Sequence, residues 1–271
     1  SPGVRRCRLF CPTLCEGSLL LSPEESHHAI AALRAKPGQE VLLFDGRGRE
    51  AIGRITAIER RLLCVDVRRA TRRPFELSCK ITLAVAMARH YRQGYLIEKC
   101  TELGVAAIWP VIAERSVGNR PATSKSRGDP RRPKPAARGK RGVQAARWYR
   151  RAIEAAKQSG RAWVPEIAAP QTFAESVDRV GEFDGSSLTH TDSKLTPFSR
   201  FLAAQPAGGS VLVWVGPEGG WADGERDRAL NAGAVLTTLG PTALRTETAA
   251  VAVCAAAALH STMRHFDSRI D

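Results

Sequence analysis

The sequence has few aromatic residues, few lysines and no long apolar run. Its longest apolar run, Ala249–Leu259, has eleven residues and is mostly alanine, whereas a membrane-spanning helix needs about 18 or more. This run therefore indicates a buried helix. The first ten residues also lack the apolar stretch and cleavage site of a secretory signal. We expect a cytoplasmic protein with no membrane association.

The cysteines are too few and too scattered to form a disulfide framework. There are 7 in 271 residues, an odd number, which favours a reducing compartment. Three residues separate Cys7 from Cys11, and three separate Cys11 from Cys15. In the iron–sulfur motif of radical enzymes, three residues separate the first two cysteines and two residues separate the second from the third. A fourth ligand would have to come from His27 or His28. We predict structural thiols and no bound metal.

Basic residues, by contrast, are abundant and unevenly placed. Lys and Arg number 41 against 27 Asp and Glu, which gives a formal net charge of +14, and 33 of the 41 are arginine. Residues 118–151 contribute +11 and residues 1–73 contribute +6, so the remainder of the chain is slightly acidic. A polyanion such as nucleic acid is the first partner to consider.

The N-terminal part reads as a small β domain with one helix. Ser22 as N-cap, Pro23 at the first helical position and Glu25 at the third predict a helix start with a capping box. Three strand-like runs follow, at Glu40–Phe44, Glu50–Ile58 and Leu62–Val67. We predict a small barrel or sandwich over residues 1–73.

Residues 74–271 show strands that alternate with helices, the pattern of a mainly parallel sheet with helices on both faces. The predicted strands are Ile81–Met87, Ala106–Ile112, Ser187–His190, Val211–Val215 and Val235–Leu239. The predicted helices are Tyr95–Leu103, Arg147–Ser159, Asp223–Ala232 and the alanine-rich C-terminal segment. Between them, residues 118–143 are rich in proline and arginine, and we expect this insert to be a mobile loop.

A glycine-rich loop follows one buried strand directly. Val211–Val215 runs into Gly216-Pro217-Glu218-Gly219-Gly220, and Asp223 can cap the next helix. Ligands of open α/β sheets bind where such loops leave the carboxyl ends of strands. The loop matches neither the dinucleotide fingerprint nor the P-loop, which disfavours a nucleotide-dependent enzyme.

A second loop of this kind opens the last helix. Leu239-Gly240-Pro241 ends a strand, and Leu244-Arg245-Thr246-Glu247-Thr248 follows. Thr246 or Thr248 can cap the helix, and Glu247 suits its dipole. Arg245 is a cation at the N-terminal end of this helix, where the helix dipole disfavours cations. It therefore needs an anionic partner from the protein or from a substrate.

Together the two loops resemble those of the bacterial ribosomal RNA small-subunit methyltransferase E family, enzymes that methylate N3 of a uridine in 16S ribosomal RNA. Further similar stretches extend over nearly the whole chain: Arg8-Leu9-Phe10, His27-His28, Met87-Ala88-Arg89, Glu98-Lys99, Glu102-Leu103-Gly104-Val105, Glu114-Arg115-Ser116, Arg147-Trp148 and Gln158-Ser159. The chain departs from the family at His90-Tyr91-Arg92-Gln93-Gly94, where a Gly-Glu-Lys-like run is usual, and in its longer insert.

The resemblance implies a PUA-like β-barrel followed by a SPOUT-type α/β domain with a deep C-terminal trefoil knot. It implies S-adenosylmethionine as methyl donor without a metal, 16S ribosomal RNA or the 30S particle as partner, and a homodimer. The implied cofactor residues are Val215, Gly216, Gly220, Leu239, Gly240, Leu244, Arg245 and Thr246, with Thr189 and His190 as weaker candidates. The RNA contacts would be Arg8, His28, Arg34 and Arg89.

For catalysis, Arg245 is the first candidate, because it could stabilise the uracil anion that forms when N3 loses its proton. Glu247 is a second candidate, as a base, although helix capping explains it as well. Two alternatives stay open. The chain could be a ribose 2′-O-methyltransferase of the same superfamily, whose final loop is expected to be rich in Asn and Ser, or a catalytically silent RNA-binding protein.

The position of the excess charge leads to a first prediction. The arginine-rich insert should add RNA affinity that is non-specific and salt-sensitive. Deletion of residues 118–140 should flatten the dependence of RNA affinity on salt and leave methylation of the correct uridine intact. Titrations of RNA at a series of salt concentrations measure this dependence. An unchanged slope of log affinity against log salt in the deletion variant would refute the prediction.

Overall fold

The computed structural model describes residues 7–86, 90–116 and 138–267. The chain divides into two compact units, one formed by Ser1–Glu76 with Ile153–Val164 and the other by Leu77–Ala152 with Pro165–Asp271. Nothing in the sequence pattern indicated that a segment from the middle of the chain joins the N-terminal unit. The predicted division at residue 73 and the predicted knot stay predictions.

The N-terminal unit contains a five-stranded sheet in the strand order β1-β3-β4-β5-β2, one complete helix, and residues 153–159 at the end of a second helix. Its elements are β1 (Cys7–Phe10), β2 (Gly17–Leu20), α1 (Pro23–Ala31), β3 (Glu40–Phe44), β4 (Arg49–Glu59) and β5 (Leu62–Arg72). β1 pairs with β3 in parallel, and the other pairings are antiparallel. α1 packs on β1 and β5, over a core that includes Leu9, Val41, Leu43, Ile55 and Val65. The three predicted strands are confirmed, and β4 and β5 are longer than expected.

The start of α1 confirms half of the predicted capping box. Ser22 Oγ accepts a hydrogen bond from Glu25 N at 3.2 Å, and Pro23 is the first helical residue. The Glu25 carboxylate does not return to Ser22, because it accepts a bond from Phe10 N at 3.0 Å and pairs with Lys157 Nζ at 2.5 Å. Glu25 and Lys157 are both almost fully buried, so each needs the other's charge.

Two irregularities of the β4–β5 hairpin involve arginine. Arg60 and Arg61 form its two-residue turn with φ of 47° and 68°, the left-handed region that Asn-Gly turns occupy more easily. Further along, a bulge sets Ile52 of β4 opposite two residues of β5, Arg68 and Arg69. The flanking pairs are Ala51–Ala70 and Gly53–Val67.

The second unit is built on an eight-stranded sheet in which every pairing is parallel. The strands are β6 (Lys80–Ala86), β7 (Ala107–Ile112), β8 (Glu166–Ile167), β9 (Gln171–Thr172), β10 (Gly185–His190), β11 (Thr196–Pro197), β12 (Ser210–Val215) and β13 (Val235–Thr238). Their order is β11-β13-β10-β12-β6-β7-β8, and β9 also pairs with β7. The predicted parallel sheet is confirmed.

Helices cover this sheet on both faces, as predicted. They are α2 (His90–Glu102), α3 (Arg138–Ser159), α4 (Phe173–Val177), α5 (Phe198–Ala203), α6 (Asp223–Asn231) and α7 (Thr246–Asp267). One buried cluster joins α4 and α6 to the strands through Phe173, Trp214 and Trp221. Trp214 Nε1 donates to Ser176 Oγ at 2.9 Å, which satisfies its buried N–H. α7 packs separately on β6 and β12 and on α2 and α5.

The prediction that residues 118–143 form a loop is partly wrong. α3 begins at Arg138 rather than Arg147, so residues 138–143 are helical. The last proline of the insert is Pro135, and the glycines that follow it, Gly139 and Gly142, lie within the helix without ending it. Residues 117–137, and also Met87 and Arg89, lie outside the described residues. Within the described part of the chain, the helices are too short or too polar to cross a membrane.

The hairpin turn yields a stability prediction. Replacing its residues by Arg60→Asn/Arg61→Gly should raise the free energy of unfolding by about 1 kcal/mol, because left-handed backbone disfavours side chains such as arginine. Chemical denaturation measures the difference. As a matched control, Arg60→Ala/Arg61→Ala removes the same charges without relieving the backbone and should give no gain. Equal stabilities for the two double variants would contradict the explanation.

Candidate functional site

The site lies where three neighbouring strands of the parallel sheet end. β13, β10 and β12 are adjacent, and the chain leaves them after Thr238, His190 and Val215. Because parallel strands present their carboxyl ends at one edge, the three following loops meet there. They enclose a cleft with about 570 Å³ of empty volume, including space open to solvent.

Most of the cofactor residues implied by the resemblance line this one cleft. They are Thr189, Val215, Gly216, Gly220, Leu239, Gly240 and Leu244. His190 lines it as well. Arg245 and Thr246 are not among the lining residues. The remaining lining residues, which sequence reasoning missed, are Thr191, Pro217, Trp221, Thr242 and Ala249. The signal that could have found most of them is their place within or beside the glycine loops.

The glycines of the two loops are required for different reasons. A Cβ on Gly216 would lie 3.0 Å from Trp221 Nε1, so the main chain passes close to the indole ring. Gly220 and Gly240 have φ of 69° and 139°, in the region that favours glycine, and open space surrounds the position of a Cβ on each. The loop conformation thus leaves main-chain atoms uncovered by side chains at both positions, as binding of a ligand requires.

Thr246 connects the two loops and does not cap α7. Its hydroxyl donates to Gly216 O at 2.9 Å, and the residue is 2% exposed. Thr248, the other predicted cap, is exposed to solvent. The capping prediction failed because the orientation of a hydroxyl towards a distant loop is a tertiary property, which the local sequence does not encode. The predicted capping role of Asp223 is also wrong, since Asp223 is the first residue of α6.

The first loop is also held from the side of β7. Glu225 accepts hydrogen bonds from Ala222 N at 3.0 Å and from Glu114 N at 2.8 Å. Arg115 Nη1 donates to Gly219 O at 3.3 Å. The Glu114-Arg115-Ser116 stretch, which resembles the family, therefore holds the glycine loop through hydrogen bonds to Glu225 and Gly219.

Arg245 and Glu247 are placed very differently, although one residue separates them. Arg245 is exposed and has no acidic partner among the described residues, so the anion that its position demands is not supplied by the described part of the chain. Glu247 is buried, and its Oε1 lies 3.3 Å from Arg92 Nη1. Arg92 Nη1 is also 3.6 Å from Glu218 Oε1, so this arginine of α2 joins the two loops. Sequence reasoning noted the stretch around Arg92 only as a departure from the family.

The residues implied to contact RNA do not form one group. Arg8 is occupied within the N-terminal unit: it pairs with Glu50 at 2.7 Å, donates to Arg161 O at 2.8 Å and lies 4.9 Å from the centre of the Phe44 ring. His28 is partly exposed and lines a cleft with Arg8. Arg34 is exposed, with a φ of 53°. Arg89 lies outside the described residues, and the four RNA-contact roles stay predictions.

The cysteines form no disulfide among the described residues. All seven are free thiols, and burial raises the pKa of Cys7 to about 11. Across the described residues, no group of three or more His, Cys, Asp or Glu side chains is placed to hold a metal ion.

Two family models match the chain. The RNA methyltransferase domain matches residues 75–258, and the RNA methyltransferase PUA domain matches residues 21–68. Ribosomal RNA small subunit methyltransferase E of Mycobacterium bovis is 32% identical over 229 residues, which cover 84% of this chain and 80% of the relative. The protein of the same name from Bacillus subtilis is 29% identical over 233 residues, covering 84% and 85% of the two chains.

A solved structure is similar over most of the chain. Ribosomal RNA small subunit methyltransferase E from Neisseria gonorrhoeae, bound to S-adenosyl methionine, has a TM-score of 0.76 and 28% identity to this chain. The match covers 93% of this chain and 96% of the other.

The link between the loops can be tested by its effect on stability. Thr246→Val keeps the shape of the side chain and leaves Gly216 O without its donor, so the free energy of unfolding should fall by about 1–2 kcal/mol. Thr248→Val is the matched control, because this exposed threonine should tolerate the change within about 0.5 kcal/mol. Denaturant titrations of both variants give the values. Similar values for both would show that the bond to Gly216 contributes nothing.

Proposed function

Since this chain belongs to the ribosomal RNA small subunit methyltransferase E family, we propose that it transfers a methyl group to N3 of a uridine in 16S ribosomal RNA. It is an S-adenosylmethionine-dependent ribosomal RNA methyltransferase, with a PUA-like N-terminal domain and a SPOUT-type α/β domain. The observation that carries the proposal is the convergence of both glycine loops on one cleft at the carboxyl edge of the sheet.

The cleft fits the proposed cofactor. Its walls include the apolar side chains of Val215, Leu239 and Leu244, which suit a heteroaromatic base. The main chain at Gly220 and Gly240 is free of obstruction, and the buried Nε1 of Trp221 has no hydrogen-bond acceptor among the described residues. The cofactor, when bound, supplies a methyl group on a sulfonium, and these residues would hold it.

Positioning is the main contribution that an in-line methyl transfer requires of the protein, and it is worth about 7–11 kcal/mol in favourable cases. The ties from Thr246 to Gly216 and from Arg92 to Glu218 and Glu247 fix the loops before substrate binds. In this proposal Arg92 and Glu247 are positioning residues. Glu247 is thereby less available as the proton acceptor considered for it from the sequence.

Arg245 is the proposed catalytic residue. Uracil N3 must lose its proton, to water, before it accepts the methyl group, and the negative charge of the resulting anion spreads over N3 and the two carbonyl oxygens of the base until the new N–C bond neutralises it. Arg245 follows Leu244 of the cleft directly, is exposed, and has no acidic partner among the described residues. Its guanidinium could therefore stabilise that charge, an effect typically worth about 3–4 kcal/mol.

We propose further that the protein acts as a homodimer on 16S ribosomal RNA or on the 30S particle, as the family resemblance implies. Incubation of both substrates with S-adenosylmethionine, followed by mass mapping, tests this together with the reaction itself. Methyl groups on uracil N3 support the proposal, whereas methyl groups on ribose would favour the 2′-O alternative. Binding of RNA without heat from S-adenosylmethionine in calorimetry would favour the silent RNA-binding alternative.

Arg245→Ala provides the test of mechanism. Turnover should fall about 10²–10³-fold, because the developing charge loses its partner, whereas affinity for S-adenosylmethionine in calorimetry should stay within about twofold. Arg200→Ala, which removes another exposed arginine of the same unit, should change neither quantity. If Arg245→Ala reduces turnover and cofactor affinity equally, the arginine binds the cofactor and does not act on the base.

A further inference from the structure

Arg68 and Arg69 lie side by side on the outer face of the N-terminal sheet because of the bulge in β5. In a regular strand, neighbouring side chains point to opposite faces, and one of the two arginines would enter the core. The bulge adds a residue opposite Ile52, so both arginines are exposed directly after the buried Val67. Bulges commonly re-aim side chains in this way beside binding sites.

Both arginines line a cleft on the face formed by β3, β4 and β5. The cleft has about 980 Å³ of empty volume, including space open to solvent, and Leu42, Ile52 and Arg54 line it too. Ile52 is 43% exposed, a large value for isoleucine in the middle of a strand. The cleft therefore combines an apolar floor with guanidinium groups.

Its charges are only partly balanced within the protein. Glu50 pairs with Arg8 at 2.7 Å and with Arg73 at 3.6 Å, and Glu40 lies 3.9 Å from Arg54. Of the carboxylates that line the cleft, Asp66 alone has no ion pair with the described residues.

Arg68 and Arg69 have no acidic partner among the residues the structure describes. Two unpaired guanidiniums therefore face the single unpaired carboxylate of Asp66. The excess positive charge at this face must be balanced by solvent ions or by an anionic ligand.

We propose that this cleft binds a single-stranded segment of the RNA substrate, with phosphates on Arg68 and Arg69 and an unstacked base over Ile52 and Leu42. The proposal rests on the proposed function for the identity of the substrate. Arginine pairs well with phosphate through its planar fork. An apolar floor suits a base that is free to leave its stack, which a duplex does not offer.

The test uses Arg68→Ala/Arg69→Ala in the full chain, with a fluorescent single-stranded fragment of 16S ribosomal RNA titrated over a series of KCl concentrations. Affinity at low salt should fall about tenfold or more, and the slope of log affinity against log salt should decrease by about two, one for each phosphate contact. Affinity for S-adenosylmethionine in calorimetry should not change, because the residues of the cofactor cleft belong to the other unit.

Arg60→Asn/Arg61→Gly is the matched control. It removes two exposed arginines of the same hairpin, outside the cleft, and should retain RNA affinity within about threefold. Equal losses in the two double variants would overturn the proposal, since net charge alone would then explain them. Wild-type affinity in the Arg68→Ala/Arg69→Ala variant would overturn it as well.

The base contact has its own test. Ile52→Ser should weaken binding of the single strand several-fold and leave binding of a duplex of the same sequence unchanged, and equal effects on both would overturn this part. Because these are binding measurements, they are independent of methyl transfer. A wild-type protein that binds the fragment but does not methylate ribosomal RNA would refute the proposed function and leave the cleft proposal standing.

Discussion

The parallel pairing of β10 with both β12 and β13 is the constraint on which the cleft depends. Side-chain hydrogen bonds reinforce it inside the sheet, from Thr189 Oγ1 to Trp214 O at 2.9 Å and between the hydroxyls of Ser187 and Thr237 at 2.7 Å. These groups are buried, so a change of register would leave them unsatisfied at a cost of about 1–3 kcal/mol each. The strand ends, and with them the loops, are therefore fixed at one edge.

Few contacts are needed to hold the loops once the strands are in place. Thr246 ties one loop to the other through Gly216 O, and Arg92 lies between Glu218 and Glu247. Arg245 directly precedes the anchored Thr246 and has no acidic partner among the described residues. Its backbone is thereby held near the cleft, while its charge remains available to a substrate, which is the condition for electrostatic catalysis.

The N-terminal unit shows why the position of an arginine matters more than the number of arginines. Arg8 matched a family motif and was expected to contact RNA, yet its guanidinium is committed to Glu50 and to Arg161 O. Arg68 and Arg69 belong to no motif, and a bulge brings them together beside an exposed isoleucine. From the sequence alone these arginines are equivalent, because local sequence specifies neither burial nor partners.

The sequence by itself determined the longer strands and helices in their order, the parallel sheet and the two glycine loops, since apolar periodicity and turn residues act over a few neighbouring positions. The short elements β2, β8, β9, β11, α4 and α5 have too few residues to show a periodicity and were not predicted. It also contained the motifs that identify the family. Only the tertiary structure decided that Thr246 bonds to Gly216, that Arg92 joins the loops and that residues 153–164 pack with the N-terminal unit. These contacts connect residues between 30 and about 150 positions apart, and their geometry depends on the packing of the whole sheet rather than on any local preference.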